Sequence, residues 1–260
     1  MRAKALLLCL ALALCGFAQQ QDPMKILIQL RHKVADSLSR VPRYLCTEVV
    51  DRQTLRISNN SRVPSSCPDL VTAVQESKAK EKLLSSDRLR LDVALADNRE
   101  IYSWVGEGRF GDQSLSQLVR IGSTSTGSFA GFLHAIFAAD GATFSYIGET
   151  QSNGHRVLQY GFAVPLWRSG YTIANASLRR VTAYGGTFIA DAATLDLLRL
   201  EIQAESIPAE LNICAASSTM DYAKLRIKNV DFLLPAEADT HVINADGRES
   251  INRTVFQWLP

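Results

Sequence analysis

The chain has 260 residues, of which 28 are basic, 26 are acidic and 47% are hydrophobic. This is enough apolar material for a substantial core, and the near balance of charge argues against nucleic acid and anionic membrane surfaces as partners. Beyond the first 18 residues, no apolar run is long and charge-free enough to span a bilayer, which needs about 20 residues.

Residues 1–18 have the pattern of an export signal. Two basic residues stand at the start, residues 5–14 form an apolar run too short to cross a bilayer, and small residues lead up to Ala18. The pattern predicts a signal peptide that is cleaved after Ala18. It also predicts a periplasmic or secreted location for one mature domain over residues 19–260.

Lipidation is the alternative way to process this signal. Cys15 closes the apolar run, as the modified cysteine of a lipoprotein signal does. The residue before such a cysteine is normally small, whereas here it is Leu14. Simple cleavage after Ala18 is therefore favoured, and lipidation at Cys15 stays open.

The first predicted element of the mature chain is an amphipathic helix. Asp22 suits the N-cap and Pro23 the first helical position, and apolar residues then recur at helical spacing over residues 27–38. A long strand is predicted over residues 45–57, and a loop over residues 59–68.

From residue 88 onwards, apolar and polar residues alternate as they do in antiparallel strands with one dry face and one solvated face. The alternation covers residues 88–95, 158–164, 198–203, 224–228 and 254–258. Turn residues separate the segments, at positions 97–98, 153–154, 185–186, 191–194 and 246–247. The pattern predicts a mainly β fold of about ten antiparallel strands with a few helices, of the α+β class.

One segment interrupts this β pattern. Phe129, Phe132, Leu133, Ile136 and Phe137 follow one another at i, i+3, i+4, i+7 and i+8. This spacing predicts a strongly apolar helix. Together with the N-terminal helix, it can cover the dry face of the sheet.

Three cysteines follow the export signal, and an oxidising compartment allows two of them to pair. Cys67 lies in a polar stretch flanked by prolines, and Cys46 just precedes an apolar strand. We predict a Cys46–Cys67 disulfide, which leaves Cys214 as a small buried residue. The spacings match no zinc pattern.

The aromatic residues of the predicted strands and of the apolar helix have two interpretations. They form either an ordinary core or the lining of a ligand cavity, and the two differ only in whether the core is full. The candidate lining residues are Tyr102, Trp104, Phe129, Phe132, Leu133, Phe137, Phe144, Tyr146, Tyr160, Phe162 and Phe188.

No motif predicts catalysis, a metal site or a cofactor. Residues 106–111 match G-x-G-x-x-G, but no β-α-β alternation surrounds them, so a glycine-rich connection is favoured. The four histidines share no ligand spacing. His134 is the exception to watch, because it lies on the apolar helix and could meet a serine or cysteine in space. We expect a protein that is not an enzyme and that holds no cofactor.

Five short strings, taken with this order of elements, resemble a known superfamily. They are VPRYLC at 41–46, EIYSW at 100–104, STGSF at 125–129, VPLWRSGY at 164–171 and DFLLP at 231–235. The chain resembles the LolA/LolB/RseB-like superfamily of periplasmic lipoprotein carriers and sensors, in particular exported bacterial proteins of this layout. The resemblance implies a curved antiparallel half-barrel sheet with helices on its concave face.

The same resemblance implies a binding or carrier protein for acyl chains or lipoproteins, which would be held in a hydrophobic half-barrel cavity without catalysis. Two other classes stay open. One is an envelope sensor or scaffold that binds another envelope protein without lipid, and the other is a hydrolase.

Overall fold

The structure is a computed structural model. It describes residues 22–40, 45–58, 66–76, 80–96, 99–111, 113, 115–119, 122–124, 129–152, 154–175, 177–227 and 229–258. The predicted export signal and its cleavage position lie outside these residues. None of the described helices has the length and apolar character that a membrane span requires.

The fold is built on strands, listed here in chain order: β1 (Leu45–Ser58), β2 (Lys80–Ala96), β3 (Arg99–Trp104), β4 (Thr143–Ser152), β5 (His155–Val164), β6 (Thr172–Ala174), β7 (Arg179–Val181), β8 (Ala183–Asp191), β9 (Leu197–Glu205), β10 (Ile213–Ile227), β11 (Val230–Asn244) and β12 (Arg248–Trp258). Ten of them form one curved sheet in the order β3-β2-β1-β12-β11-β10-β9-β8-β5-β4, and β6 pairs with β7. All these pairings are antiparallel. The sheet is open, with β3 and β4 at its edges, and the predicted fold class is confirmed.

The first helix, α1 (Pro23–Arg40), begins where the sequence predicts. The Asp22 carboxylate caps it by accepting a hydrogen bond from a backbone N–H two residues along, at 2.9 Å. Leu27, Leu30 and Val34 of α1 are buried in the main core, against inward-facing residues of the sheet. The face that α1 covers is called the inner face below.

A second helix, α2 (Cys67–Gln75), begins within the stretch that was predicted to be a loop. Ser66 caps it, and Pro68 stands in its first turn, where a missing N–H costs nothing. Leu70 of α2 packs with Ile57 and Ile243 in a separate cluster. In their strands, Ile57 and Ile243 alternate with residues that face inwards. Helix α2 therefore covers the opposite face of the sheet, which is called the outer face below.

The predicted Cys46–Cys67 disulfide is wrong. Cys67 is bonded to Cys214, while Cys46 is free and buried. The reason is that Cys46 belongs to the inner-face core, whereas α2 lies on the outer face, so the sheet separates the two thiols. The observed bond spans 147 residues, and in the chain-entropy model a loop of that length is worth about 5 kcal/mol.

The predicted apolar helix is present in two parts. α4 (Phe129–Leu133) continues directly into a π-helical segment (His134–Ala138), and together they are called the α4–π segment. A shorter helix, α3 (Leu115–Leu118), precedes it, and 3-10 turns occur at Leu166–Arg168 and Ala209–Leu211.

The predicted turn at Gly185-Gly186 is wrong, because both glycines lie inside β8. A Cβ atom on Gly186 would lie 1.9 Å from the Glu201 carbonyl oxygen, and one on Gly185 would lie 2.9 Å from the Phe162 carbonyl oxygen. The pair therefore allows close approach of three strands rather than a reversal of the chain.

Candidate functional site

Three neighbouring strands supply most of the aromatic rings of the inner face. The strand register places Phe144 of β4 opposite Phe162 of β5. It also places Tyr160 of β5 between Tyr146 of β4 and Phe188 of β8. Pairing in the sheet thus brings together rings that lie far apart in the sequence.

These rings touch one another and the helical layer above them. Tyr160 stacks on Phe188 with ring centroids 5.3 Å apart and an interplanar angle of 18°. Phe137 of the α4–π segment meets Phe188 edge-on, at 5.0 Å and 74°. Edge-to-face and offset-stacked pairs such as these contribute about 0.5–1.5 kcal/mol each beyond the area they bury.

Two tyrosines of this cluster were not predicted from the sequence. The half-buried Phe132 of α4 lies 5.2 Å from Tyr171 and 5.6 Å from Tyr184, centroid to centroid. Tyr184 was missed because the mistaken turn at the neighbouring glycines cut β8 short. Tyr171 follows a 3-10 turn, where no period marks the inward-facing positions.

The α4–π segment presents a mainly apolar side to the sheet. Leu133, Ile136 and Phe137 are buried, while the His134 side chain is exposed and makes no hydrogen bond to a described residue. Phe129 belongs to α4, but its side chain lies outside the described part of the structure. The π geometry is closed by a hydrogen bond from the backbone N–H of Ala139 to the His134 carbonyl at 2.9 Å. Single π turns of this kind are frequent at functional sites.

Arg31 of α1 joins α1 to the end of the α4–π segment. Its guanidinium group donates one hydrogen bond from Nε to the Phe137 carbonyl at 3.3 Å and another from Nη2 to the Ala139 carbonyl at 3.4 Å. The same group lies over the ring of Phe144, 5.1 Å from the centroid, and Nη2 is 3.6 Å from a carboxylate oxygen of Asp140. One side chain therefore links both helices to the aromatic cluster.

Two further contacts hold α1 on the sheet. The Tyr160 hydroxyl donates to the Pro23 carbonyl at 2.8 Å. At the other side of α1, Lys33 is 2.7 Å from the buried carboxylate of Asp196, which also pairs with Lys224 at 2.5 Å. Burial alone would raise the pKa of Asp196, but hydrogen bonds from Lys224 and Lys33 hold it below its ordinary value. The carboxylate is thus stabilised in its charged form.

Tyr102 and Trp104 lie at the other side of the inner face, on the edge strand β3. Both belong to the main core cluster, with Tyr102 buried and Trp104 half-buried. α3 and Val119 pack on this side. The candidate lining residues with described side chains therefore all lie in one continuous core, but Tyr102 and Trp104 form a part of it distinct from the rings of β4, β5 and β8.

A buried carboxyl group accompanies this second part. Glu48 of β1 faces inwards between Leu91 and Phe256, and it is 2% exposed. Its Oε2 atom has no hydrogen-bond partner among the described residues. Burial, and then the charge of Glu100, raise the pKa of Glu48 well above its ordinary value. Burial also raises the pKa of the Cys46 thiol, so this cysteine is a poor nucleophile.

Two pockets of the described structure lie away from the aromatic rings. One of about 280 Å³ lies on the outer face and is lined by polar and charged residues of β9, β10 and β11. The other, of about 100 Å³, lies between α1 and the turn at Asp196. Neither is lined by an aromatic residue of the cluster, whose rings pack against one another.

The histidines are dispersed over different parts of the fold. His241 contacts the buried Glu249, with Nδ1 2.9 Å from Oε1, and this hydrogen bond raises the pKa of His241. His155 is 4.0 Å from a carboxylate oxygen of Asp191. In the part of the chain that the structure describes, no group of three or more His, Cys, Asp or Glu side chains could hold a metal ion.

Comparisons with known proteins find matches among solved structures only. No protein-family model and no curated protein matches it. A LolA superfamily protein from Nitrosomonas europaea matches with 11% identity and a TM-score of 0.37, over 90% of this chain and 94% of that one. A DUF1329 family protein from Desulfovibrio piger matches with 9% identity and a TM-score of 0.33, over 91% and 93%. The first of these carries the name of the superfamily that the sequence strings resemble.

Proposed function

We propose that this chain is an exported, non-catalytic protein that binds an acyl chain, free or as part of a lipoprotein, between the inner face of its sheet and the α4–π segment. The observation that carries the proposal is the aromatic cluster beneath a short cover. The cover consists of two elements of five residues each, which lie beside α1 and complete the layer over the aromatic rings.

Ligand entry requires this cover to move, because its rings pack against the rings of the sheet. Phe132 is half-buried and touches Tyr171 and Tyr184, so it lies at the rim of the cluster rather than at its centre. An acyl chain that replaces Phe132 and Phe137 against Phe188 and Tyr184 would bury comparable apolar area. At about 0.8 kcal/mol per buried CH₂ group, a long acyl chain offsets the cost of moving the cover.

The disulfide supports the proposed compartment. A bond between Cys67 and Cys214 fits an oxidising environment such as the periplasm or the cell exterior. It agrees with removal of residues 1–18 and export of residues 19–260 as one domain. The proposed partners are an acyl chain or lipoprotein and, in transfer, another envelope protein.

Uptake of a fluorescent fatty acid tests the proposal. Phe132→Glu should abolish uptake while the far-ultraviolet spectrum stays β-rich, because a charge would replace an apolar contact at the rim. The matched control is His134→Glu, which adds a carboxylate at an exposed position of the same segment and should leave uptake unchanged. Wild-type protein that takes up no fatty acid, or equal uptake by all three proteins, would contradict the proposal.

The packed rings also favour a second candidate, an envelope sensor or scaffold that binds protein and no lipid. A full core needs no ligand for stability. Native mass spectrometry of protein purified from an envelope extract separates the two candidates. A co-purified lipid supports the carrier, and a lipid-free complex with another envelope protein supports the scaffold.

A further inference from the structure

The 3-10 turn after β5 exposes two large apolar side chains. Leu166 is 57% exposed and Trp167 is 75% exposed, the latter more than any other large hydrophobic residue among those described. Val181, at the end of β7, is 43% exposed. Together with Arg168 and Arg179, these residues are called the tip surface below.

The tip surface is held in place by hydrogen bonds to the backbone. Ser169 donates its hydroxyl to the Thr182 carbonyl at 2.6 Å and accepts a hydrogen bond from the Tyr171 N–H at 3.0 Å. The first bond ties the turn to Thr182, the residue that follows β7, so the backbone of the turn lies beside the end of β7. The second ties it to Tyr171, whose ring belongs to the aromatic cluster. The apolar side chains are therefore presented on an ordered backbone.

The charges around the tip surface are mainly positive. Arg168 lies over the Trp167 ring, 4.5 Å from its centroid, and neither Arg168 nor Arg179 has a carboxylate partner among the described residues. Of the nearby carboxylates, Glu210 pairs with Arg180 and Asp140 with Arg31, so Glu205, opposite Ala183 on β9, is left against the two arginines. The overall charge balance, which argued against anionic membranes, averages over the surface and conceals this local excess.

We propose that the tip surface docks the protein onto an anionic lipid bilayer. Tryptophan favours the boundary between headgroups and acyl chains, and a neighbouring leucine adds apolar contact there. Arginine side chains pair well with phosphate oxygens, so Arg168 and Arg179 would face the headgroups. A stable protein interface needs about 800 Å² on each side, and three apolar side chains supply little of it. The proposal does not depend on what the aromatic cluster binds.

Co-sedimentation with vesicles and quenching by brominated lipid test this docking. The chain from Gln19 onwards is used, because the apolar run at residues 5–14 would itself enter vesicles, and every described residue is retained. Vesicles of phosphatidylglycerol with phosphatidylethanolamine should bind it, and vesicles of phosphatidylcholine should bind it far less. Brominated acyl chains should quench the wild type but not Trp167→Phe, since Trp104 and Trp258 are partly buried in the core.

Substitutions on the tip surface separate its apolar and charged parts. Leu166→Ser with Trp167→Ser should weaken vesicle binding by about tenfold or more. Arg168→Gln and Arg179→Gln should each weaken it by about fivefold, the change expected for one cationic side chain near an anionic surface.

The matched control is Val230→Ser, in the hairpin between β10 and β11 at the opposite end of the sheet. Val230 is 47% exposed, so its loss should leave vesicle binding unchanged. Three results would overturn the proposal: no binding to anionic vesicles, binding that survives the double serine variant, or Trp167 that brominated lipid does not quench. If the protein fails to bind anionic vesicles but binds a purified envelope protein through Trp167, the tip surface has a protein partner instead.

Discussion

The guanidinium of Arg31 donates Nε to the carbonyl oxygen of Phe137 at 3.3 Å, and so joins α1 to the last turn of the α4–π segment. A second, longer bond runs from Nη2 to the Ala139 carbonyl at 3.4 Å. Both are long for charge-assisted hydrogen bonds, which are usually about 2.7–2.9 Å. The cover over the aromatic cluster is thus fastened at its end by one side chain.

Removing this fastening should loosen the cover. Arg31→Ala deletes both hydrogen bonds and the contact with the Phe144 ring, together worth about 1–2 kcal/mol. We expect amide hydrogen exchange across residues 134–139 to become about tenfold faster. The control is Arg40→Ala, on the same helix, where the hydrogen bond and ion pair to described residues both go to Asp36. Equal exchange in both variants would show that α1 does not restrain the cover.

The disulfide should govern resistance to denaturant. Reduction, or Cys67→Ala, should lower the free energy of unfolding by about 2–5 kcal/mol, because α2 is no longer tied to β10. Thiol labelling of the unfolded, unreduced chain from Gln19 onwards, which lacks Cys9 and Cys15, should modify Cys46 alone. Cys46→Ala serves as control, since that variant should keep its sensitivity to reduction. Labelling of Cys214 without reduction would contradict the pairing.

The ionisation of Glu48 should make stability depend on pH. Its pKa is raised in the folded state, first by burial and then by Glu100, so it stabilises the fold below its unfolded pKa and loses that contribution as pH rises through the folded value. Each pKa unit of this rise corresponds to about 1.4 kcal/mol. The Glu48→Gln variant has no ionisable group at this position. Its free energy of unfolding should therefore increase relative to that of the wild type as pH rises from 4.5 towards neutrality.

Urea unfolding of both proteins across this range measures the difference. The relevant quantity is the gap in the free energy of unfolding between variant and wild type, because the carboxyl groups that do not interact with Glu48 contribute equally to both. Glu201→Gln, which removes an exposed carboxyl group on the outer side of β9, is the control for loss of a charge outside the core. If the difference in the free energy of unfolding between Glu48→Gln and the wild type does not change with pH, the raised pKa of Glu48 is contradicted.

Close approach of strands at Gly186 should make this residue intolerant of a side chain. Gly186→Ala places a Cβ 1.9 Å from the Glu201 carbonyl oxygen, so the backbones of β8 and β9 must separate. We expect a loss of about 3 kcal/mol or more in the free energy of unfolding. Gly148→Ala, where a Cβ would meet nothing within 4 Å, is the matched control. Equal stability of the two variants would show that the sheet can relax at this point.

The accuracy of the sequence predictions depended on whether a signal was local. Asp22 and Pro23 mark the start of α1 by their own chemistry, and alternation of side chains marks β5 and β9 because the pleat has a period of two. The glycine pair at 185–186 was wrongly predicted to be a turn, because glycine occurs both in turns and where strands approach closely. Only the position of β9 distinguishes these two cases. Pro68 likewise predicts a loop, unless Ser66 is recognised as the N-cap of a helix that begins at the next residue.

Pairing over long distances in the chain could not be predicted. Cys67 and Cys214 meet because α2 crosses the outer face to reach β10, and no spacing in the sequence records that path. The aromatic residues on the inner face could be proposed from their alternation with polar neighbours. Tyr171 could not, because it lies outside any regular element.

The central position of β12 has a consequence for how the protein is made. β12 pairs with β1 on one side and β11 on the other, so it joins the three-stranded portion β3-β2-β1 to the remainder of the sheet. Until these 11 residues are available, the two portions share no strand pairing and the inner-face core stays divided. The strands on either side of β12 can therefore pair among themselves first, and the sheet becomes one cooperative unit only when β12 pairs with both β1 and β11.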